Sequence, residues 1–381
     1  MLKISKEILG TKSSFLIKDD GSVCLSDLAM EDAWTVGFHQ NYKSVEITCR
    51  ALGIEMPEIV AEEANKFWST WKVRPPASAV MSHSELLEKI KTLNSWFSAQ
   101  FSAYCDSSYF CNDFQSILLL LDRLEPALLD SDFVRACDDE RISSLSGSKS
   151  ASCTYDPCSS STGRLTVKSG FPILTLPREL RKSLKSRHGK ILQIDFTALE
   201  PHTLRCFAGR LSGEEDIYTD ISRGFDLERD IVKVAVMSAC YGMSRNSFRS
   251  KYRSVSGAAG FYDSIRKGLG VEELESYIAR SCVISTGITN GFGRPIQCDP
   301  AAWVSHFVQS TAVDVACQGF NDVIDRLAES RARFSPLFLI HDSLVVDVNV
   351  EHMSALNRIV EEGFLLKSKN YKFPMKIKEL Y

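Results

Sequence analysis

Residues 338–348 read FLIHDSLVVDV, two apolar runs on either side of a polar tip made of His341, Asp342 and Ser343. Runs of this length and composition predict a strand, a turn and a second strand. A second run, ILQIDF at 191–196, reads as a buried strand that ends on Asp195, with helical residues following from Ala198. The two acids are far apart in the chain, so only tertiary structure can couple them. If their strands are neighbours in one sheet, the carboxylates meet at one end of it. Paired carboxylates there suit magnesium, a hard cation that keeps water and substrate phosphates in its shell. Two such ions would activate an attacking hydroxyl and stabilise a leaving pyrophosphate.

The next informative stretch is the helix predicted over 227–241, which carries Ile231, Val234, Ala235 and Val236. Arg229, Lys233, Met237 and Tyr241 recur at every fourth position, so they form one slowly drifting stripe on one face. At 1.5 Å per residue that stripe is roughly 18 Å long. Two cations, a flexible apolar side chain and an aromatic ring match a nucleoside triphosphate, charged at one end and flat at the other. Arg229 and Lys233 would hold the phosphates and Tyr241 would stack near the base.

Elsewhere the sequence is ordinary for a globular protein: 381 residues, 44% apolar and 24% charged. No apolar run approaches the ~18 residues of a membrane span. The first residues lack a signal-peptide core. The 12 cysteines include no CxxC pair, which favours reduced thiols over a zinc site. The net charge of −3 hides an asymmetry, because residues 1–159 are acidic and the remainder is basic. Positive charge concentrates at 160–190 and 229–270, as expected of a groove for a polyanion. Residues 14–25 predict a hairpin turning at Asp20-Gly21, and 57–72 predict a helix. Ser82 and Glu85 form a capping box for a helix to about Tyr104. A further helix is expected from Asp113 to Leu129, broken near Pro126, and the serine-rich residues 143–161 read as a flexible loop or linker.

Taken in order, the motifs resemble those of the A-family polymerases (DNA polymerase I-like), a superfamily shared with the phage-type single-subunit RNA polymerases. Ser160-Ser161-Thr162-Gly163-Arg164-Leu165 resembles the T-x-x-G-R element, and Phe171 to Pro177 stands at the place of P-N-L-Q-N-I-P. Asp195-Phe196-Thr197-Ala198-Leu199-Glu200 is similar to motif A. Asp216-Ile217-Tyr218 sits where D-I-H is common, and Arg229 through Tyr241-Gly242 is similar to motif B. Asn290 to Arg294 resembles a later T-x-x-G-R, Gln309 to Asp314 resembles Q-G-T-A-A-D, and His341-Asp342-Ser343 resembles H-D-E of motif C.

The resemblance implies an α/β (α+β) right-hand polymerase: an antiparallel-sheet palm at 151–228 and 300–381, helical fingers at 229–299, a reduced helical thumb at 81–150 and an extension at 1–80. It implies no exonuclease domain. It makes Asp195 and Asp342 the ligands of two Mg2+ ions and Lys233 a proton donor to pyrophosphate. Arg164, Arg294, Gln309 and His341 become contacts to the DNA primer-template, with dNTPs as substrates. Glu200 is expected under the sugar, where it disfavours a 2′-hydroxyl. Met237 and Ser343, by contrast, are similar to RNA polymerases, so an RNA polymerase or primase is the alternative. A catalytically inactive nucleic-acid-binding relative is a third reading. The acidic first half implies low processivity or an accessory protein, and the expected location is the cytoplasm of a bacterial or phage-infected cell.

Overall fold

The computed structural model describes residues 2–4, 14–18, 23–25, 34–36, 44–46, 49, 81–102, 109–211, 216–223, 225–255 and 257–381. The chain divides into two compact units, Met1–Asp122 and Arg123–Tyr381. In the first, strands β1 (Leu2–Ile4), β2 (Phe15–Ile17), β3 (Val23–Leu25) and β4 (Trp34–Val36) form a sheet in the order β3-β2-β1-β4. The predicted hairpin is present, Ile17 pairing with Val23. Its Asp20-Gly21 turn and the helix expected at 57–72 lie outside the described residues. Helix α1 (His83–Trp96) starts on the expected capping box: the Ser82 side chain accepts from the Glu85 N–H and the Glu85 carboxylate accepts from the Ser82 N–H. Helix α2 (Tyr109–Asp122) stops short of the expected Leu129. Pro126 disfavours helix at the residue before it, and Ala127–Leu129 becomes strand β5 instead.

The second unit contains β5, β6 (Ser150–Ala151), β7 (Cys153–Asp156), β8 (Thr166–Gly170), β9 (Leu184–Lys185) and the central β10 (Gly189–Phe196). Helices α3 (Leu199–Phe207), α4 (Ile217–Ser222), α5 (Arg229–Cys240), α6 (Ala258–Leu269) and α7 (Val271–Ser281) follow. After the small sheet β11 (Val283–Ile284), β12 (Gly287–Thr289), β13 (Pro295–Gln297) comes the long helix α8 (Trp303–Glu329). The hairpin β14 (Phe334–Ile340) and β15 (Ser343–Asn349), helix α9 (Met353–Glu362), β16 (Phe364–Leu366), β17 (Tyr371–Phe373) and β18 (Met375–Glu379) complete it. No helix among the described residues is long and apolar enough to cross a membrane.

The principal sheet runs β14-β15-β10-β18, antiparallel throughout. Its inner strands read as apolar runs because both faces are covered. On one face Phe171, Ile173, Leu176 and Leu184 pack with Ile191, Phe338 and Val345. On the other lies α8, where the Phe196 and Phe320 rings sit 5.4 Å apart. Gly319 permits this approach: a Cβ there would lie 2.5 Å from Phe196 Cζ.

One expectation needs correction. The serine-rich stretch 143–161 is not a free linker, since β6 pairs with β5 and β7 pairs with β8. Tyr155 anchors it to the principal sheet by donating to the Leu339 carbonyl (2.8 Å) and accepting from the Leu339 N–H (2.9 Å). In α5, Ala235 and Val236 are buried as the apolar pattern suggests, but Ile231 and Val234 are 39% and 52% exposed. Val232, Ala239 and Cys240 complete the buried face instead.

His202 in α3 is buried, and its Nδ1 lies 2.9 Å from the Tyr371 hydroxyl. Burial, with Arg205 nearby, pushes the imidazole down to about 4. A base whose folded value is depressed stabilises the fold above its unfolded value and loses that contribution as pH falls toward the folded one. Between pH 7 and pH 5 the unfolding free energy of the wild type should therefore drop by about 2 kcal/mol more than that of His202→Gln. Equal drops in denaturant titrations at the two pH values would show that His202 is not responsible.

Candidate active site

Every feature of the site lies in the unit spanning residues 123–381. Asp195 is the penultimate residue of β10 and pairs in register with Ser343, the residue after Asp342. The Phe196 N–H donates to the Asp342 carbonyl at 3.4 Å, tying the β14–β15 turn to the end of β10. The two strands are neighbours, and the two acids reach the same sheet end. Burial, and then the charge of Asp195, holds the Asp342 carboxyl above the usual carboxylate range. Both effects disfavour its charged form.

Ser343 is buried and donates to Asp195 Oδ1 at 2.7 Å. Gln193 Nε2 in turn donates to the Ser343 hydroxyl at 2.9 Å. Ser343 therefore orients the Asp195 carboxylate. Asp195 Oδ2 pairs with Lys378, and Lys376 stands 3.7 Å from the same oxygen.

The acids open onto a cleft of about 580 Å³, lined also by Arg164, Glu200, Arg229, Lys233, Met237, Tyr241, Gln309 and His341. Glu200 sits in the first turn of α3, entered through Ala198 in the left-handed region. Its side chain is 18% exposed and accepts from Arg164 at 2.7 Å. Burial raises the Glu200 carboxyl, while the Arg164 charge opposes the rise and the nearby Asp342 adds to it.

Helix α5 presents its predicted stripe to this cleft. Arg229 donates to Asp216 at 2.8 Å, and its guanidinium lies 5.1 Å from the centroid of the buried Tyr218 ring. Asp216 and Tyr218 hold the arginine in place. Lys233 is exposed and has no hydrogen bond or ion pair among the described residues. The Tyr241 hydroxyl is buried and has no hydrogen-bond partner among the described residues.

Arg294 is the one predicted site residue that does not line the cleft. It is 4% exposed and faces Asp314, itself 0% exposed, at 3.6 Å. Asn290 donates to Asp314 at 2.5 Å and accepts from the Arg294 N–H at 2.9 Å. Asp314 follows Gln309 by five helical positions, about 140° around α8, so Gln309 faces the cleft while Asp314 faces inward. Arg294 is not a surface contact in this structure. It supports the site from beneath: a Cβ on Gly163 would lie 1.7 Å from Arg294 Nη1, so the glycine next to Arg164 rests on the guanidinium.

Sequence reasoning missed Lys376 and Lys378 entirely. The only signal was their spacing on the last strand, which puts both on one face of it. It also missed that Tyr218 forms a platform for Arg229.

Whether magnesium fits can be judged from the donors. Among the described residues no group of three or more His, Cys, Asp or Glu is arranged around one point. Two carboxylates remain, which suits an ion that completes its shell with water and phosphate oxygens.

No protein-family model and no curated protein matches the chain. Among solved structures, it is similar to the POL domain of Pol1 from M. smegmatis, described in complex with DNA primer-template and dNTP, at 14% identity and a TM-score of 0.49. The match covers 87% of this chain but only 62% of that one.

Proposed function

We propose that the chain is a template-directed nucleic-acid polymerase of the A-family type that extends a primer 3′-hydroxyl with deoxynucleotides, without proofreading. The observation that carries this reading is the convergence of Asp195 and Asp342 at one sheet end, in the same cleft as the Arg229–Tyr241 stripe. The principal sheet and α8 act as the palm, residues 229–299 as fingers and 81–150 as a reduced thumb.

Asp195 and Asp342 would hold two magnesium ions, which when bound supply activation of the primer hydroxyl and neutralisation of charge on the leaving pyrophosphate. Arg229, clamped by Asp216 and Tyr218, binds triphosphate oxygens without needing to be reoriented. Lys233 holds the same group and gives its proton to the departing pyrophosphate. Tyr241 stacks at the base end of the stripe, and Met237 closes the pocket between them. Arg164, Gln309 and His341 contact the primer-template near the reacting end. Arg164 also ties down Glu200, so the carboxylate is fixed where a ribose 2′-hydroxyl would collide with it.

An RNA polymerase or primase is the second reading, favoured by Met237 and by Ser343 in place of a third carboxylate. Primer extension with dNTPs and with NTPs separates the two. The wild type should prefer dNTPs, and Glu200→Ala, which keeps a good helix former in the first turn of α3, should lower that preference at least tenfold. A wild type that prefers NTPs would replace the first reading with the second.

A further inference from the structure

Asp195 carries cations that its motif does not supply. Lys376 pairs in register with Asp195, and Lys378 with Gln193, so both lysines lie on the face of β18 that borders the acid. Asp195 Oδ1 is occupied by the buried Ser343 hydroxyl. Oδ2 takes Lys378 directly, with Lys376 behind it. The pair is lopsided in exposure. The Asp195 side chain is 9% exposed while those of Lys376 and Lys378 are 45% and 47% exposed, so the carboxylate is fixed and the ammonium groups can swing. Both lysines line the same cleft as Arg229 and Lys233.

We propose that Lys378 is a positioning residue of the metal centre. It is a displaceable internal counter-cation that holds Asp195 before loading, would give way when a divalent ion is held by the acids, and then turns its ammonium to the triphosphate. This rests on the polymerase reading above. It follows that metal binds weakly to the free protein and more tightly once nucleotide gives the displaced ammonium a new anionic partner. Lys378 therefore couples the two ligands, because the same ammonium competes with one and attracts the other.

The test is Mn2+ binding measured by electron paramagnetic resonance, with and without a non-hydrolysable dNTP analogue. Lys378→Met should bind Mn2+ about five- to tenfold more tightly than the wild type when nucleotide is absent, the scale of a half-exposed charge-assisted contact. It should also show a smaller gain when the analogue is added. Lys378→Arg keeps the cation and should behave like the wild type, which a merely structural lysine would not require. Should the methionine variant fold poorly, Lys378→Gln carries the same expectation. Unchanged or weaker Mn2+ binding by Lys378→Met overturns the proposal. Wild-type Mn2+ binding that Asp342→Asn leaves intact would overturn the carboxylate pair instead, so the two failures are told apart.

Discussion

Asp342→Asn should lower single-turnover primer extension by about 10³- to 10⁵-fold, equivalent to roughly 4–7 kcal/mol of transition-state stabilisation. The substitution keeps the shape of the side chain and removes its charge. It leaves the main-chain contact with Phe196 untouched, because that bond uses the Asp342 carbonyl. The carboxyl is already held above its usual range by burial and by Asp195, so the folded state resists its ionisation. Loss of the charge should leave the melting temperature unchanged or slightly higher. A large fall in activity with no fall in stability is the mark of a group retained for chemistry. Extension within tenfold of the wild type by a folded variant would sink the carboxylate pair, and with it the polymerase reading.

What was legible in the sequence was what local pattern records. Asp195 and Asp342 end or interrupt apolar runs, and strands covered on both faces have to read that way. The Arg229–Tyr241 stripe follows from helical geometry alone. The rest depends on depth and on distant partners. Arg294 sits in a motif-like segment, but nothing local says that its guanidinium turns inward to Asp314. Lys376 and Lys378 lie on β18, an edge strand, where lysines commonly serve only to protect the edge, so their presence alone signals nothing. Their role appears only once β18 pairs with β10. The serine-rich stretch has the composition of a loop, but Tyr155 fastens it to a strand far away in the sequence. Ile231 and Val234 are apolar residues on the outward face of α5, and nothing in the local pattern separates them from Val232 and Val236 on its buried face.

The Arg294–Asp314 pair gives the largest expected effect on stability. A buried ion pair contributes little in net terms against apolar replacements, but breaking one leaves a charge stranded out of water. Arg294→Met and Asp314→Ala should each destabilise the protein by about 3–5 kcal/mol. The double variant Arg294→Met/Asp314→Leu should recover most of that loss, because neither charge is then left alone. The pH dependence separates this from simple loss of packing. Burial already raises the Asp314 carboxyl, while Arg294 opposes the rise. Without the arginine the carboxyl rises further and folds in its protonated form. An acid raised in the folded state costs stability above its folded value, and the cost disappears as pH falls toward its unfolded value. The deficit of Arg294→Met relative to the wild type should therefore shrink between pH 8 and pH 5 in denaturant titrations, whereas a packing defect would stay constant. Activity should report the same pair by another route. With the guanidinium gone from beneath Gly163, Arg164 loses the footing from which it holds Glu200, so the folded fraction of Arg294→Met should discriminate less well between dNTP and NTP. Full sugar selectivity in that fraction would show that Arg294 supports the fold but not the cleft.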